Sequence, residues 1–222
     1  ELLLRDQRTD VRAVDATGRN VLIWATYHGY KEIVELLLND HRIDINASDD
    51  TGRTAFMWAS YLDRKDIVAK MLLLDEERID FNAADLSGRT ALILASYKGN
   101  VDVVELLLAD ERVQINVADN DGSTALMLAV DYRVEVVKLL LKNHTIDINA
   151  VDSIGRTALM WASVWGNKEI IEMLLENEEI DLEAVDKYGH DALELCENEE
   201  TRQIINEFLQ TQTLRQGWVL IR

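Results

Sequence analysis

The side chains able to do covalent or metal chemistry are few in this chain, and they are scattered. His28, His41, His144 and His190 lie far apart with no ligand-like spacing, which predicts surface histidines rather than a metal centre. The single cysteine, Cys196, excludes an internal disulfide and any multi-cysteine metal site. It stands at a small-residue position of a helical stretch, with no histidine beside it, and reads as a buried thiol. The run Asp119-Asn120-Asp121-Gly122 invites a calcium reading. With Gly122 as the sixth position of such a loop, however, the first falls on Val117 and the twelfth on Leu128, and neither can ligate. No glycine-rich phosphate loop occurs. Catalysis needs a nucleophile, a base and anion-stabilising donors in one place. The expectation is therefore no enzyme, no cofactor and no metal.

What does recur is an Asp-x-x-Gly element, at Asp15/Gly18, Asp49/Gly52, Asp85/Gly88, Asp119/Gly122, Asp152/Gly155 and Asp186/Gly189, with 34, 36, 34, 33 and 34 residues between successive aspartates. Each element leads into a capping side chain (Asn20, Thr54, Thr90, Thr124, Thr157, Asp191) and then an apolar helical run. A turn follows, with Gly29, Gly99 and Gly166 in three units, and then a second helix such as Ile33-Val34-Glu35-Leu36-Leu37-Leu38. That second helix is apolar over most of its circumference, so it must be buried on more than one side. Stacked neighbours meet that need; a lone helix pair cannot. Between units, Ile43-Asp44-Ile45-Asn46, Ile79-Asp80-Phe81-Asn82, Val113-Gln114-Ile115-Asn116 and Ile146-Asp147-Ile148-Asn149 alternate apolar and polar residues, which predicts a short extended arm. The fold class is an all-α repeat solenoid: helix-turn-helix units with short extended hairpin arms between them.

The unit resembles the ankyrin repeat, whose period is near 33 and whose first helix opens on Thr-Pro-Leu-His. The resemblance covers residues 1 to about 209. No proline is present, and Val21, Ala55, Ala91, Ala125, Ala158 and Ala192 take the motif's proline position. Alanine serves there as the best helix former. Ile23, Met57, Ile93, Met127 and Met160 replace the family's histidine, so stacking must rely more on apolar contact.

The alignment predicts repeats at 15–48, 49–84, 85–118, 119–151 and 152–185, a capping repeat at 186–209 and a non-repeat tail at 210–222. Residues 1–14 read as the second half of a preceding repeat, because Glu1–Asp6 matches Glu35–Asp40. The chain thus looks like part of a longer array. The fourth unit has lost one residue near Asp131-Tyr132-Arg133, which predicts a tighter turn. Glu194 stands where other first helices carry Met or Ile, and such a polar face suits the end of a stack. Trp218-Val219-Leu220-Ile221 is strand-like in composition.

The resemblance implies binding through a concave face of arms and first helices. Carried over position by position, it puts two columns there: Arg19, Arg53, Arg89 and Arg156, interrupted by Ser123, and Tyr27, Tyr61, Tyr97 and Trp165, with Tyr132 nearby. Arginine and tyrosine are frequent interface hot spots. An internal role is the alternative, with each arginine pairing to an acidic neighbour and each tyrosine packing on the next repeat. Leu62, Lys98, Leu86, Ile154, Lys187 and Tyr188 follow from the family's variable surface positions alone. Trp24, Trp58 and Trp161 are expected to fill the core between repeats. Asn46, Asn82, Asn116 and Asn149, with Leu38, Leu74, Leu108 and Leu141 eight positions upstream, resemble asparaginyl hydroxylation sites; the alternative is that asparagine holds the turn.

The net charge of −18 opposes binding to nucleic acid and to anionic membrane, and favours basic partners chiefly through encounter rate. Its carboxylates concentrate on second helices and arm loops, for example Glu32, Glu35, Asp75, Glu76, Glu77, Glu169, Glu172 and Glu176. Lack of a secretory signal and the lone cysteine suit an intracellular protein, cytoplasmic or nuclear, monomeric in isolation and without membrane insertion. The leading function is a scaffold or adaptor that binds a peptide or protein domain. Two alternatives stand beside it: a structural spacer within a longer array, and an engineered binder, against which the skipped residue near Asp131 counts.

Overall fold

The computed structural model describes residues 10–74 and 78–219, with 212–219 by backbone alone. Eleven helices stand among the described residues: α1 Val21–His28, α2 Lys31–Leu38, α3 Ala55–Tyr61, α4 Lys65–Leu72, α5 Ala91–Lys98, α6 Val101–Leu108, α7 Ala125–Ala129, α8 Val134–Leu141, α9 Ala158–Trp165, α10 Lys168–Leu175 and α11 Glu199–Val219. The fold is an all-α repeat solenoid of paired helices, in two compact units, 1–120 and 121–222. In the first unit α3 lies between α1 and α5, and α4 between α2 and α6. In the second, α7 packs on α9, and α10 is flanked by α8 and α11.

Local sequence explains each element. The Asn20, Thr54, Thr90, Thr124 and Thr157 side chains accept the amide three residues on, and every first helix starts at the residue after its cap. All the residues of α3 from Ala55 to Ser60 are buried, as a helix with neighbours on both sides requires. Ile23, Met57, Ile93, Met127 and Met160 are each at most 5% exposed, so apolar packing does fill the family's histidine position. Second helices bury one stripe, Val103, Val104 and Leu107 in α6, and expose their acids.

The arms are not strands. Asp44, Asp80 and Asp147 each accept the amide two residues on, from Asn46, Asn82 and Asn149, which folds the alternating segment into a turn. The turn tucks both apolar residues inward, as with Ile43 and Ile45. Strand-like pairing among the described residues comes as isolated bridges, such as Val14–Asn20 and Ser48–Thr54. A period of two marked burial here, not extension.

Of three further expectations, one is met and two are not. The shortened fourth repeat has a five-residue first helix, α7, ending on Val130, and Asp131 pairs with Arg133 in the tight turn, as predicted. The last repeat has no first helix: Asp191 and Glu194 cap each other's amides, and the chain closes one turn before leaving helical geometry. Residues 210–219 continue α11 instead of forming a strand-like tail, so Trp218 and Val219 are helical. Leu220 and Ile221, the Glu1–Asp6 segment and the Asp75–Glu77 acids lie outside the described residues.

Candidate functional site

The arm face is organised by the repeated aspartate. One oxygen of Asp49 accepts the amides of Thr51 (2.9 Å) and Arg53 (3.1 Å) and the Thr51 hydroxyl (2.6 Å), which closes the turn over Gly52. Asp85, Asp152 and Asp186 hold the same pair of amides. Successive arms of the first unit then join backbone to backbone, Asp50 to Thr17, Leu86 to Thr51 and Asn120 to Ser87. Gly52 is required here twice over: its φ is 79°, and a Cβ would sit 2.7 Å from the Leu86 nitrogen.

The second carboxylate oxygen is met both from its own repeat and from the repeat before it. Trp58 donates its indole N–H to Asp49 at 2.7 Å and Trp161 donates to Asp152 at 2.9 Å. Arg53 reaches Asp85 at 3.2 Å, Arg156 reaches Asp186 at 3.3 Å, and Arg19 approaches Asp49 at 3.8 Å. Arg89 instead turns back to its own Asp85 at 3.0 Å, so that carboxylate holds two guanidinium groups. Burial alone would raise the Asp49 and Asp85 carboxyls, but the hydrogen bonds they accept prevail and hold both below the usual carboxylate range.

The predicted site residues therefore divide. Arg19, Arg53, Arg89 and Arg156 are engaged with buried aspartates. Arg19 also lies 4.4 Å over Tyr27 and 5.1 Å over Trp58, and Arg53 lies 4.9 Å over Trp58 and 4.8 Å over Tyr61. Tyr27 and Tyr61 are half-buried in this stack, and Lys98 sits over the Tyr61 ring. Leu62 is half-buried at the end of α3. Tyr97, Tyr132, Trp165 and Tyr188 are well exposed, the last three at 69%, 49% and 64%. Of the tryptophans, Trp58 fills the core as expected and Trp161 is half-buried. Trp24 does not: it is 43% exposed, packed on His28 and Tyr30.

The asparagines read from sequence as hydroxylation candidates or turn holders also form a ladder between repeats, which sequence reasoning did not foresee. The Asn46 amide donates to the Arg78 carbonyl and accepts from Asp80, and Asn82 does the same with Arg112 and Gln114. In the second unit Asn149 joins Glu179 and Asp181. Both ends of each amide are used, so asparagine ties adjacent repeats; Asn116 is engaged as well. The signal was a fixed asparagine at one repeat spacing. Among the described residues no cluster of His, Cys, Asp and Glu is placed to hold a metal ion.

Comparison with known proteins fits this geometry. No curated protein matches the chain by sequence. Among solved structures it is similar to the ankyrin repeat domain of Bcl-3, described as a unique member of the IkappaB protein family, with a TM-score of 0.82, 22% identity, and 92% of this chain and 90% of that chain covered. At that identity the likeness speaks for the fold alone. The family model for ankyrin repeats in groups of three matches residues 1–85, 68–152, 111–186 and 145–213, overlapping along nearly the whole sequence, and on that evidence the chain belongs to the ankyrin repeat family.

Proposed function

We propose that this chain is a protein-interaction scaffold whose partner seats on the face of arms and first helices. The observation that carries the reading is the exposure of large rings in the second unit, Tyr132, Trp165 and Tyr188, together with that of the apolar residues Val151 and Val185. Aromatic side chains bury much area at low entropic cost, and such rings anchor interfaces. Tyr61, Leu62, Tyr97 and Lys98 extend the same reading to the first unit. The arginine column has a supporting part: it orders the arms, and its charge is spent on aspartates. That favours substitutions at the rings over substitutions such as Arg89→Glu, which would set a carboxylate against buried Asp85.

The test compares wild type with Trp165→Ala/Tyr188→Ala in capture from native lysate, with circular dichroism confirming an unchanged fold. Loss of a bound protein by the variant supports the reading. Equal capture by both, or by neither, overturns it and favours a spacer that orders neighbouring repeats. Hydroxylation at Asn46, Asn82, Asn116 and Asn149 is a separate proposal for the native protein. An intact mass without added oxygen disposes of it.

A further inference from the structure

The second unit carries a groove between α10 and α11 whose charged rim differs from that of the α2–α4 contact. Its volume is about 310 Å³, and it is lined by Glu172, Leu175, Glu176, Ile204, Glu207, Phe208 and Thr211. Leu175 forms a buried floor, Ile204 and Phe208 are half-buried walls, and the three glutamates stand exposed on the rim. Such a volume lies at the small end of ligand sites, enough for an apolar anchor or two rather than a folded domain.

The register explains why the rim is unbalanced. In the first unit Lys31 of α2 pairs with Asp66 of α4, and one turn on, Glu35 pairs with Lys70 at 3.0 Å. In the second unit Lys168 of α10 pairs with Glu200 of α11, which sets Glu172 in the place of Glu35 and Ile204 in the place of Lys70. The lysine that answers the glutamate in the first unit is an isoleucine here. Among the described residues no cation forms an ion pair with Glu172, Glu176 or Glu207; Glu207 accepts only the Gln203 amide, at 2.7 Å. The nearest positive charge on α10, Lys168, is taken by Glu200 at 3.0 Å.

We infer that this groove docks a basic amphipathic segment of a partner protein, one that sets an apolar anchor on Leu175, Ile204 and Phe208 and places lysine or arginine against the three glutamates. Charge decides among the candidate occupants. A second copy of this chain would bring its own share of a net charge of −18 to an already anionic rim. The segment that follows the groove does not cover it, because α11 runs on as helix to Val219, roughly 12 Å past Thr211. An apolar floor with an anionic rim that, among the described residues, no cation pairs calls for the opposite pattern: an apolar stripe bordered by positive charge. This surface lies on second helices and is independent of the arm face.

The experiment titrates the full chain with a fluorescent fourteen-residue helical peptide of leucine and lysine in amphipathic register. A peptide with serine replacing leucine carries the same charge without the anchor, and a third peptide has glutamate replacing lysine. Two triple variants accompany the wild type: Glu172→Gln/Glu176→Gln/Glu207→Gln at the groove, and Glu32→Gln/Glu105→Gln/Glu111→Gln elsewhere, both checked by circular dichroism. The inference expects binding of the leucine–lysine peptide alone, about tenfold weaker binding by the groove triple, and unchanged binding by the control triple. Phe208→Ala should weaken binding without moving the salt dependence. Equal losses in the two triples, or equal binding of the serine–lysine peptide, would mean attraction to the acidic body alone and overturn the inference. So would sedimentation showing self-association that Phe208→Ala abolishes, since the groove would then belong to a second copy.

Discussion

Replacing Trp58 by phenylalanine isolates the bond on which the arm stack turns. Trp58 is 8% exposed, and its indole N–H donates to the inner oxygen of Asp49 at 2.7 Å. Phenylalanine keeps most of the ring and its place beneath Arg19 and Arg53 but has no donor. The other partner of that oxygen, Arg19, stands at 3.8 Å, too far to replace the bond. A hydrogen bond to a charged group contributes about 1.5–3 kcal/mol, and stranding part of a buried carboxylate puts the cost toward the upper end. Two internal comparisons sharpen the expectation. Trp161→Phe should cost at least as much, because Ser123 occupies the position from which an arginine would reach Asp152, leaving Trp161 the one donor recorded on that oxygen. Trp24→Phe should cost no more than about 0.5 kcal/mol, since that ring is 43% exposed and its nitrogen makes no recorded bond. The assay is urea unfolding followed by far-ultraviolet circular dichroism, with hydrogen exchange at the Met57 and Met160 amides reporting each repeat separately. The pH dependence has a definite sign. The Asp49 carboxyl is held below its unfolded value, so its contribution is complete above that value, roughly 3.9, and is lost as pH falls through the folded one. The penalty for Trp58→Phe should therefore shrink in acid. Equal costs for Trp58→Phe and Trp24→Phe, or a penalty that grows below pH 4, would refute the reasoning.

Other expectations follow from single sites. Asp63 is the sole non-glycine residue at positive φ (56°) among the described residues, at the turn position that Gly29, Gly99 and Gly166 fill elsewhere; Asp63→Gly should raise stability by about 0.5–1 kcal/mol in the same urea assay. Thr90 caps α5 through the Ile93 amide, so Thr90→Ala should cost about 1 kcal/mol, while Thr90→Ser should restore most of it. Leu107, fully buried in α6, should cost about 2–5 kcal/mol as alanine, and half-buried Leu106 clearly less, read as the difference in thermal midpoint. Asn82→Ala removes the two bonds that residue gives the first-unit ladder, to Arg112 and Gln114, and should speed hydrogen exchange at the Gln114 amide while leaving α3 unaffected.

Much of the fold was legible because repetition turns a weak local signal into a strong one. Six copies of Asp-x-x-Gly followed by a capping residue locate each first helix, and the five that form begin at the expected residue. Where the sequence misled, a local pattern had two physical causes. Alternation of apolar and polar residues marks a strand when backbone partners are available, but the aspartate of Ile43-Asp44-Ile45-Asn46 takes the asparagine amide itself, and the same alternation becomes a turn with two buried residues. Similarly, Ala192-Leu193-Glu194-Leu195 has helical spacing, yet Glu194 returns to the Asp191 amide and the segment ends after one turn.

The arginine column shows what a single repeat conceals. Arg53 reads as an exposed ladder rung because its partner, Asp85, lies 32 residues downstream in the next arm. The clue was a correlation within repeats rather than down the column. In the first, second and fifth repeats the aspartate is followed by arginine at four residues and tryptophan at nine: Asp15, Arg19, Trp24; Asp49, Arg53, Trp58; and Asp152, Arg156, Trp161. In the second and fifth the indole satisfies the carboxylate and the arginine reaches forward, from Arg53 to Asp85 and from Arg156 to Asp186; in the first, Trp24 is exposed and Arg19 still reaches forward, to Asp49 at 3.8 Å. In the third repeat Leu94 replaces the tryptophan, the Asp85 oxygen has no indole donor, and Arg89 folds back onto it at 3.0 Å. In the third repeat the leucine at the ninth position coincides with the reversed arginine, and the indole there is the difference open to test. This coupling makes a sharp demand: Leu94→Trp should supply the indole N–H to Asp85 and release Arg89. Release should appear as weaker coupling between Arg89 and Asp85 in a double-mutant cycle, falling from about 1–3 kcal/mol toward zero. An undiminished coupling in the tryptophan background would mean that Arg89 is held by geometry other than the missing donor.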